Sequence, residues 1–394
     1  MKASPWQRLL AADRQLLLFL TATAFLGMAG GIFETTFNNF LNDTFHLAAD
    51  VRGRLEFPRE LPGFLCAVVA GSLFFLAEVR VAAVAGALIG LGMWGLAATG
   101  HSYARLLTFM ILWSTGMHLF MPLSSAIGLR LAARGRRATR LGQLGGVSTA
   151  ATIIGCGFVW WAVDYVQWDY SLIFFGGGLT AFWAVWALLR MKPPEGPAVA
   201  RPKFFYHPRY RLYYLLCILF GARKQVFITF GPWVLVKVFG QPASTFARLW
   251  ILAALVGTFF KPLVGHLIDR WGERRLLMLD ALILGGVCLG YGFAQSLFPP
   301  GPALAVVCLC YILDQLLFAL GIARATYVDK IAPRKEEVTA TFSLGVTLDH
   351  AVSMSLPALG GWIWMRYGYP FVFLGAAGIA ALTLTAASFM RGPK

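Results

Sequence analysis

Five charged side chains, Glu34, Arg223, Lys224, Asp314 and Asp349, lie in the interior of long apolar stretches, and His350 stands beside the last of them. A charge at the centre of a hydrophobic span costs at least ~2.5 kcal/mol to insert, so it is paired, faces water or works. Arg223 and Lys224 fall about twelve residues into their stretch, roughly 18 Å of helical rise. Asp314 lies at comparable depth in a later stretch, and Asp349 with His350 in the one after it. Groups so placed can meet across a cavity. There a carboxylate or an imidazole can carry a proton near neutral pH, and a guanidinium matches the geometry of a carboxylate or phosphate. Adjacent on a helix, Arg223 and Lys224 point about 100° apart, so one is expected to face a cavity while the other pairs with Asp314 or Asp349. The competing expectation is a set of buried ion pairs that only fix helix packing.

A second polar set lies nearer the N-terminus. Glu34, Asn38 and Asn42 recur every four residues and form one stripe on a helix. Glu34 either faces a cavity, caps a neighbouring helix or pairs with Arg59. The run E-F-P-R-E-L-P-G from Glu56 to Gly63 opens the next span with two prolines, which should kink it and place Arg59 and Glu60 on the outer side of a cavity. His118 reads equally well as a packing residue or a ligand for solute, and His46 with Asp50 as a surface pair.

These residues need long membrane helices to hold them. The 394-residue chain is 58% hydrophobic and 13% charged, with a mean hydropathy of +0.67, far too apolar for a soluble domain. Its net charge of +16 does not indicate nucleic acid, because the basic residues are scattered in short segments between apolar spans. Spans of about 20 residues cross a bilayer, and twelve are expected: 15–42, 55–77, 81–99, 103–131, 141–163, 169–190, 211–238, 244–268, 276–297, 302–329, 338–364 and 368–390. The first is too long for a signal peptide and reads as uncleaved.

Basic residues orient the chain. With the N-terminus in the cytoplasm, only Arg52, Arg54, Arg105, Lys237, Arg248 and Arg366 fall in outside segments, and the other inter-span Lys and Arg fall inside. Both termini are therefore expected in the cytoplasm, in an inner membrane. Cys66, Cys156, Cys217, Cys288, Cys308 and Cys310 all fall within spans without a C-x-x-C pair, so free buried thiols are expected, with no disulfide framework and no metal site.

Between the eighth and ninth spans runs G-H-L-I-D-R-W-G-E-R-R, from Gly265 to Arg275. A short charged turn between apolar helices lies at a membrane surface. Glycine there lets helices approach, Asp269 can pair with a facing cation or helix end, and Arg274 and Arg275 hold the turn inside. The segment resembles the G-x-L-x-D-R-x-G-R-R signature of major facilitator superfamily transporters, departing where Glu273 replaces a basic residue. The resemblance implies a cytoplasmic gate built from Gly265, Asp269, Arg270, Gly272, Arg274 and Arg275. A membrane-buried carboxylate in the first helix, as at Glu34, is also similar to multidrug–proton antiporters of that superfamily. The glycine-rich fifth helix, however, lacks the proline of the pattern expected in many antiporters, and Pro357, Gly360 and Gly361 echo it only in part.

A proline-rich basic linker, 191–210, divides the chain into bundles at 1–190 and 211–394. At one constant offset Phe33 aligns with Phe227, Thr35 with Thr229, Gly71 with Gly265 and Arg80 with Arg274. Asp269 and Arg270 then fall opposite Phe75 and Leu76, so the gate should be strong in the second half and weak in the first. Parallel six-helix repeats imply the facilitator architecture, with a solute site between the halves.

The expectation is an all-α polytopic membrane protein of twelve transmembrane helices in two pseudo-symmetric six-helix bundles, acting as a monomeric secondary transporter. No G-x-x-x-x-G-K-[ST] run occurs, which points to a gradient as the energy source. Its partners are a small, anionic or amphipathic solute, protons and the lipid bilayer, with no cofactor and no nucleic acid. Glu34, Asn38, His118, Arg223, Lys224 and Asp314 are candidates for binding, and Glu34, Asp314, Asp349 and His350 for carrying the proton. A polytopic membrane enzyme or solute sensor on the same fold is the alternative.

Overall fold

The computed structural model describes residues 14–65, 77–132, 137–192 and 206–390. Cys66, Gly71, Phe75, Leu76 and most of the proline-rich linker lie outside the described residues.

The protein is all-α, with twelve spans in two bundles. The first span is α1 (Arg14–Phe45). The second begins as two short helices, α2 (Ala49–Arg54) and α3 (Glu56–Phe64). Leu55 between them keeps helical angles, so this span starts near residue 49 rather than 55. Next come α4 (Glu78–Ala97), α5 (Tyr103–Arg130), α6 (Arg137–Trp161) and α7 (Tyr170–Leu189). The Asp169 carboxylate caps α7 by accepting from the Leu172 N–H at 2.9 Å.

After the linker, α8 (Arg211–Lys237) forms the seventh span. The eighth and ninth are one long element, α9 (Ala243–Leu297), broken at Gly272, whose φ of 79° and ψ of 161° only glycine adopts without strain. The tenth span is also discontinuous: α10 (Pro300–Leu317), a 3-10 turn at Phe318–Leu320, then α11 (Gly321–Ile331). Helices α12 (Lys335–Tyr367) and α13 (Tyr369–Ser388) complete the chain. Among the described residues, nine helical stretches are long and apolar enough to cross a membrane, and the one containing Gly272 holds two spans.

By contact the chain divides into two compact units. One comprises Met1–Phe45, Leu65–Val199 and Ala243–Arg248; the other His46–Phe64, Ala200–Pro242 and Leu249–Lys394. In the first unit α1 packs on α6 and α7, and α4 on α5 and α7. Gly31 permits one of these close approaches, since a Cβ there would stand 2.5 Å from the Thr152 carbonyl oxygen of α6. Phe33 stacks on Trp113 beside it, with centroids 3.4 Å apart. The Thr23 and Thr35 hydroxyls donate to the carbonyls of Phe19 and Gly31 on their own helix, so neither is left unsatisfied in an apolar setting.

In the second unit α8 packs on α12 and α13, and α2 and α3 lie along α12. That packing, absent from the sequence expectation, is why residues 46–64 group with this unit. Leu252, Leu255, Phe259 and Leu263 make an exposed apolar stripe on α9, as a lipid-facing surface requires.

Candidate functional site

Most of the buried charge is in the second unit. Arg223 on α8 donates to Asp314 Oδ1 on α10 at 2.9 Å. Its Nη1 also stands 3.7 Å from Asp280 Oδ1 on α9, an ion-pair contact too long for a hydrogen bond. The Phe220 and Phe318 rings lie 5.8 and 5.3 Å from the guanidinium carbon. All three charged groups are buried, so one cation serves two carboxylates away from water. Asp280 escapes the sequence reading because it lies only about one and a half turns past the charged 265–275 segment, near the start of its apolar span.

Lys224 turns to a different helix. Its ammonium donates to Asp349 Oδ2 on α12 at 2.8 Å. Exposure separates the two adjacent cations: the side chains of this pair are 14% and 17% exposed, against 3% and 6% for Arg223 and Asp314. The 100° between them sends each to its own carboxylate, and neither remains free.

His350 does not share Asp349's partner. Its Nδ1 lies 3.1 Å from Glu60 Oε2 on α3. Glu60 belongs to a buried network: Arg59 contacts Glu60 at 3.2 Å and donates to Glu56 at 2.6 Å, and Arg52 also pairs with Glu56. Gln225 of α8 donates to Glu56 at 2.6 Å. Arg59 and Glu60, expected on the outer side of a cavity, are buried where α3 packs on α12. The charged, proline-bearing run pointed to these residues but not to their partners.

The other candidates belong to the first unit. Glu34 is half-buried, Asn38 is buried, and Asn42 donates to its neighbour Asp43 at 2.6 Å. His118 on α5 is half-buried, its Nδ1 2.9 Å from the Ser114 carbonyl oxygen and 3.1 Å from the Ser114 hydroxyl.

At the charged turn Gly272 makes the break, while Asp269, Arg270, Arg274 and Arg275 are exposed and Gly265 half-buried. Among the described residues no ion pair to Asp269 is present; the pair at this turn is Glu273 with Lys330 on α11, at 2.8 Å. Burial acts to raise the Glu273 carboxyl, but Lys330 and a backbone N–H outweigh it and hold the group below its ordinary value. In the first unit Glu78, at the start of α4, pairs with Arg130, at the end of α5, at 3.0 Å.

Long apolar helices, an all-α fold and buried ion pairs within the spans define a multi-pass membrane protein with a polar interior. The sequence profile described as Major Facilitator Superfamily matches residues 19–349. The chain belongs to the major facilitator superfamily, and it is a secondary transporter. Its fold is similar to that of the nucleoside transporter NupG (D323A mutant), with 16% identity, TM-score 0.77, and 95% of this chain and 99% of the other covered. A D-xylose-proton symporter matches with 15% identity, TM-score 0.72 and coverage of 96% and 97%. A bacterial homolog of the human lysosomal transporter Spinster matches with 15% identity, TM-score 0.69 and coverage of 99% and 95%.

Proposed function

We propose that this transporter couples movement of a small anionic or amphipathic solute to a proton gradient across the cell inner membrane, as a monomer with both termini in the cytoplasm. One observation carries the coupling: of the two adjacent intramembrane cations, Lys224 holds the more exposed ion pair, with Asp349. A proton arriving at Asp349 neutralises the carboxylate and releases the ammonium, which can then hold an anionic group of the solute. Departure of the solute restores the pair and expels the proton. A site that is stable either with both ligands or with neither is what coupled alternating access requires.

His350 with Glu60 offers a second titratable pair directly beside this one in sequence. Glu34 and Asp314 complete the proton-carrying candidates, and Glu34, Asn38, His118, Arg223, Lys224 and Asp314 the solute-binding set. Gly265, Asp269, Arg270, Gly272, Arg274 and Arg275 form the cytoplasmic gate motif, and the bundles are bounded at 1–190 and 211–394. The proton symport named for one structural neighbour supports the coupling, and the nucleoside transport named for another supports an organic solute.

Reconstitution in liposomes tests it. Asp349→Asn should abolish accumulation driven by a proton gradient while sparing exchange of labelled for unlabelled solute. Should Asp349→Asn, Glu34→Gln, Asp314→Asn and His350→Gln each still concentrate solute as the native protein does, proton coupling through these groups is wrong.

A further inference from the structure

Within the second unit, α8, α11 and α12 enclose an open-sided cavity of about 400 Å³, within the usual size range of small-molecule sites. Its wall is mainly aromatic and apolar, with Tyr213 and Phe220 from α8 and Phe342 from α12. Two charged side chains line it, Arg324 of α11 and Asp349 of α12. They differ in one respect. Asp349 is held by Lys224 at 2.8 Å, whereas among the described residues no carboxylate lies within ion-pair distance of Arg324.

The Arg324 guanidinium lies over the Phe220 ring, 3.5 Å from its centroid. Stacking of this kind fixes the plane of the fork and leaves its N–H edge for a ligand. The 3-10 turn at Phe318–Leu320 interrupts the span just before this residue, so the direction of Arg324 is set by α11 rather than by the helix that carries Asp314. With Asp349 bonded to Lys224, Arg324 is the cation of the wall that no carboxylate of the described residues bonds directly, although Asp280 and Asp349 both act on it through space. A half-buried cation beside an aromatic wall is complementary to one ligand class, an amphipathic anion.

We propose that this cavity binds an organic monocarboxylate, its carboxylate accepting from Arg324 and its apolar body lying against Phe220 and Phe342. This site is separate from the Lys224 ammonium, which stays paired with Asp349 until that carboxylate is protonated and then offers the solute a second cation. The transport reading supplies the use of such a site, but binding can be scored without it.

The test is calorimetric titration of the full-length protein in nanodiscs with 3-phenylpropanoate and with its uncharged amide, 3-phenylpropanamide. The acid should bind roughly tenfold more tightly or better, as expected for a charge-assisted hydrogen bond in a sheltered site. Arg324→Gln should erase that difference and Arg324→Lys retain part of it. Val346→Trp, which fills the cavity from the wall formed by α12 without altering its charge, should abolish binding of the acid and decides the matter if the arginine variants do not fold. Equal affinity for acid and amide, no binding of either, or an acid preference that survives Arg324→Gln or Val346→Trp overturns the proposal. Uptake of labelled 3-phenylpropanoate into liposomes is scored separately. Binding without uptake would leave the site standing and count against transport of this solute alone.

Discussion

Arg223 is the cation on which two buried carboxylates depend, because Asp280 and Asp314 both face it. Removing one partner of a buried ion pair leaves an uncompensated charge at a cost of about 3–5 kcal/mol. Arg223→Gln leaves two carboxylates without their cation, whereas Asp280→Asn leaves the Arg223–Asp314 hydrogen bond in place. Arg223→Gln should therefore lose folded, monodisperse protein on size-exclusion chromatography, and Asp280→Asn should retain most of it. Equal recovery of the two would mean that the guanidinium does not hold these helices together. The sequence placed Arg223 and Asp314 at comparable depth and so made their meeting expected. It left Asp280 unsuspected, because depth is read from distance to a charged loop, and Asp280 is close to one.

At the scale of elements, each unit carries one ion pair in the corresponding place: Glu78 at the start of α4 with Arg130 at the end of α5, and Glu273 in the turn within α9 with Lys330 at the end of α11. Glu273, the one departure from the facilitator signature, supplies the carboxylate of the second pair. Its folded-state pKa is lowered, so its contribution to stability is present above the ordinary glutamate value of about 4.3 and is lost as pH falls through the folded value. Lys330 is half exposed, which keeps the contribution under about 1 kcal/mol. Thermal unfolding in detergent should show a small deficit for Glu273→Gln at pH 7 that closes below about pH 4. A deficit unchanged across that range would assign the effect to packing. The turn was legible because glycine at a chain reversal is a local signal; the partner of Glu273 was not, because Lys330 lies far along the chain.

For the whole molecule, the asymmetry of basic residues predicts both termini inside. A fluorescent protein fused after Lys394 should fold and fluoresce, and alkaline phosphatase at the same point should stay inactive. Phosphatase inserted in the turn between Asp164 and Asp169 should be active; the reverse pattern would invert the topology. The number of spans, their approximate limits and the charged turns between them followed from composition, because the bilayer selects on properties of short contiguous segments. Which face of each helix is buried did not follow: these helices are apolar nearly all round, so their sequences carry little information on rotation about the axis. Rotation and adjacency together choose partners. They send Arg223 to Asp314 and Asp280, send Lys224 to Asp349, lay α2 and α3 on α12 so that Glu60 meets His350, and leave Arg324 over Phe220 at the edge of a cavity. Those choices join residues tens to hundreds of positions apart, and only packing in three dimensions makes them.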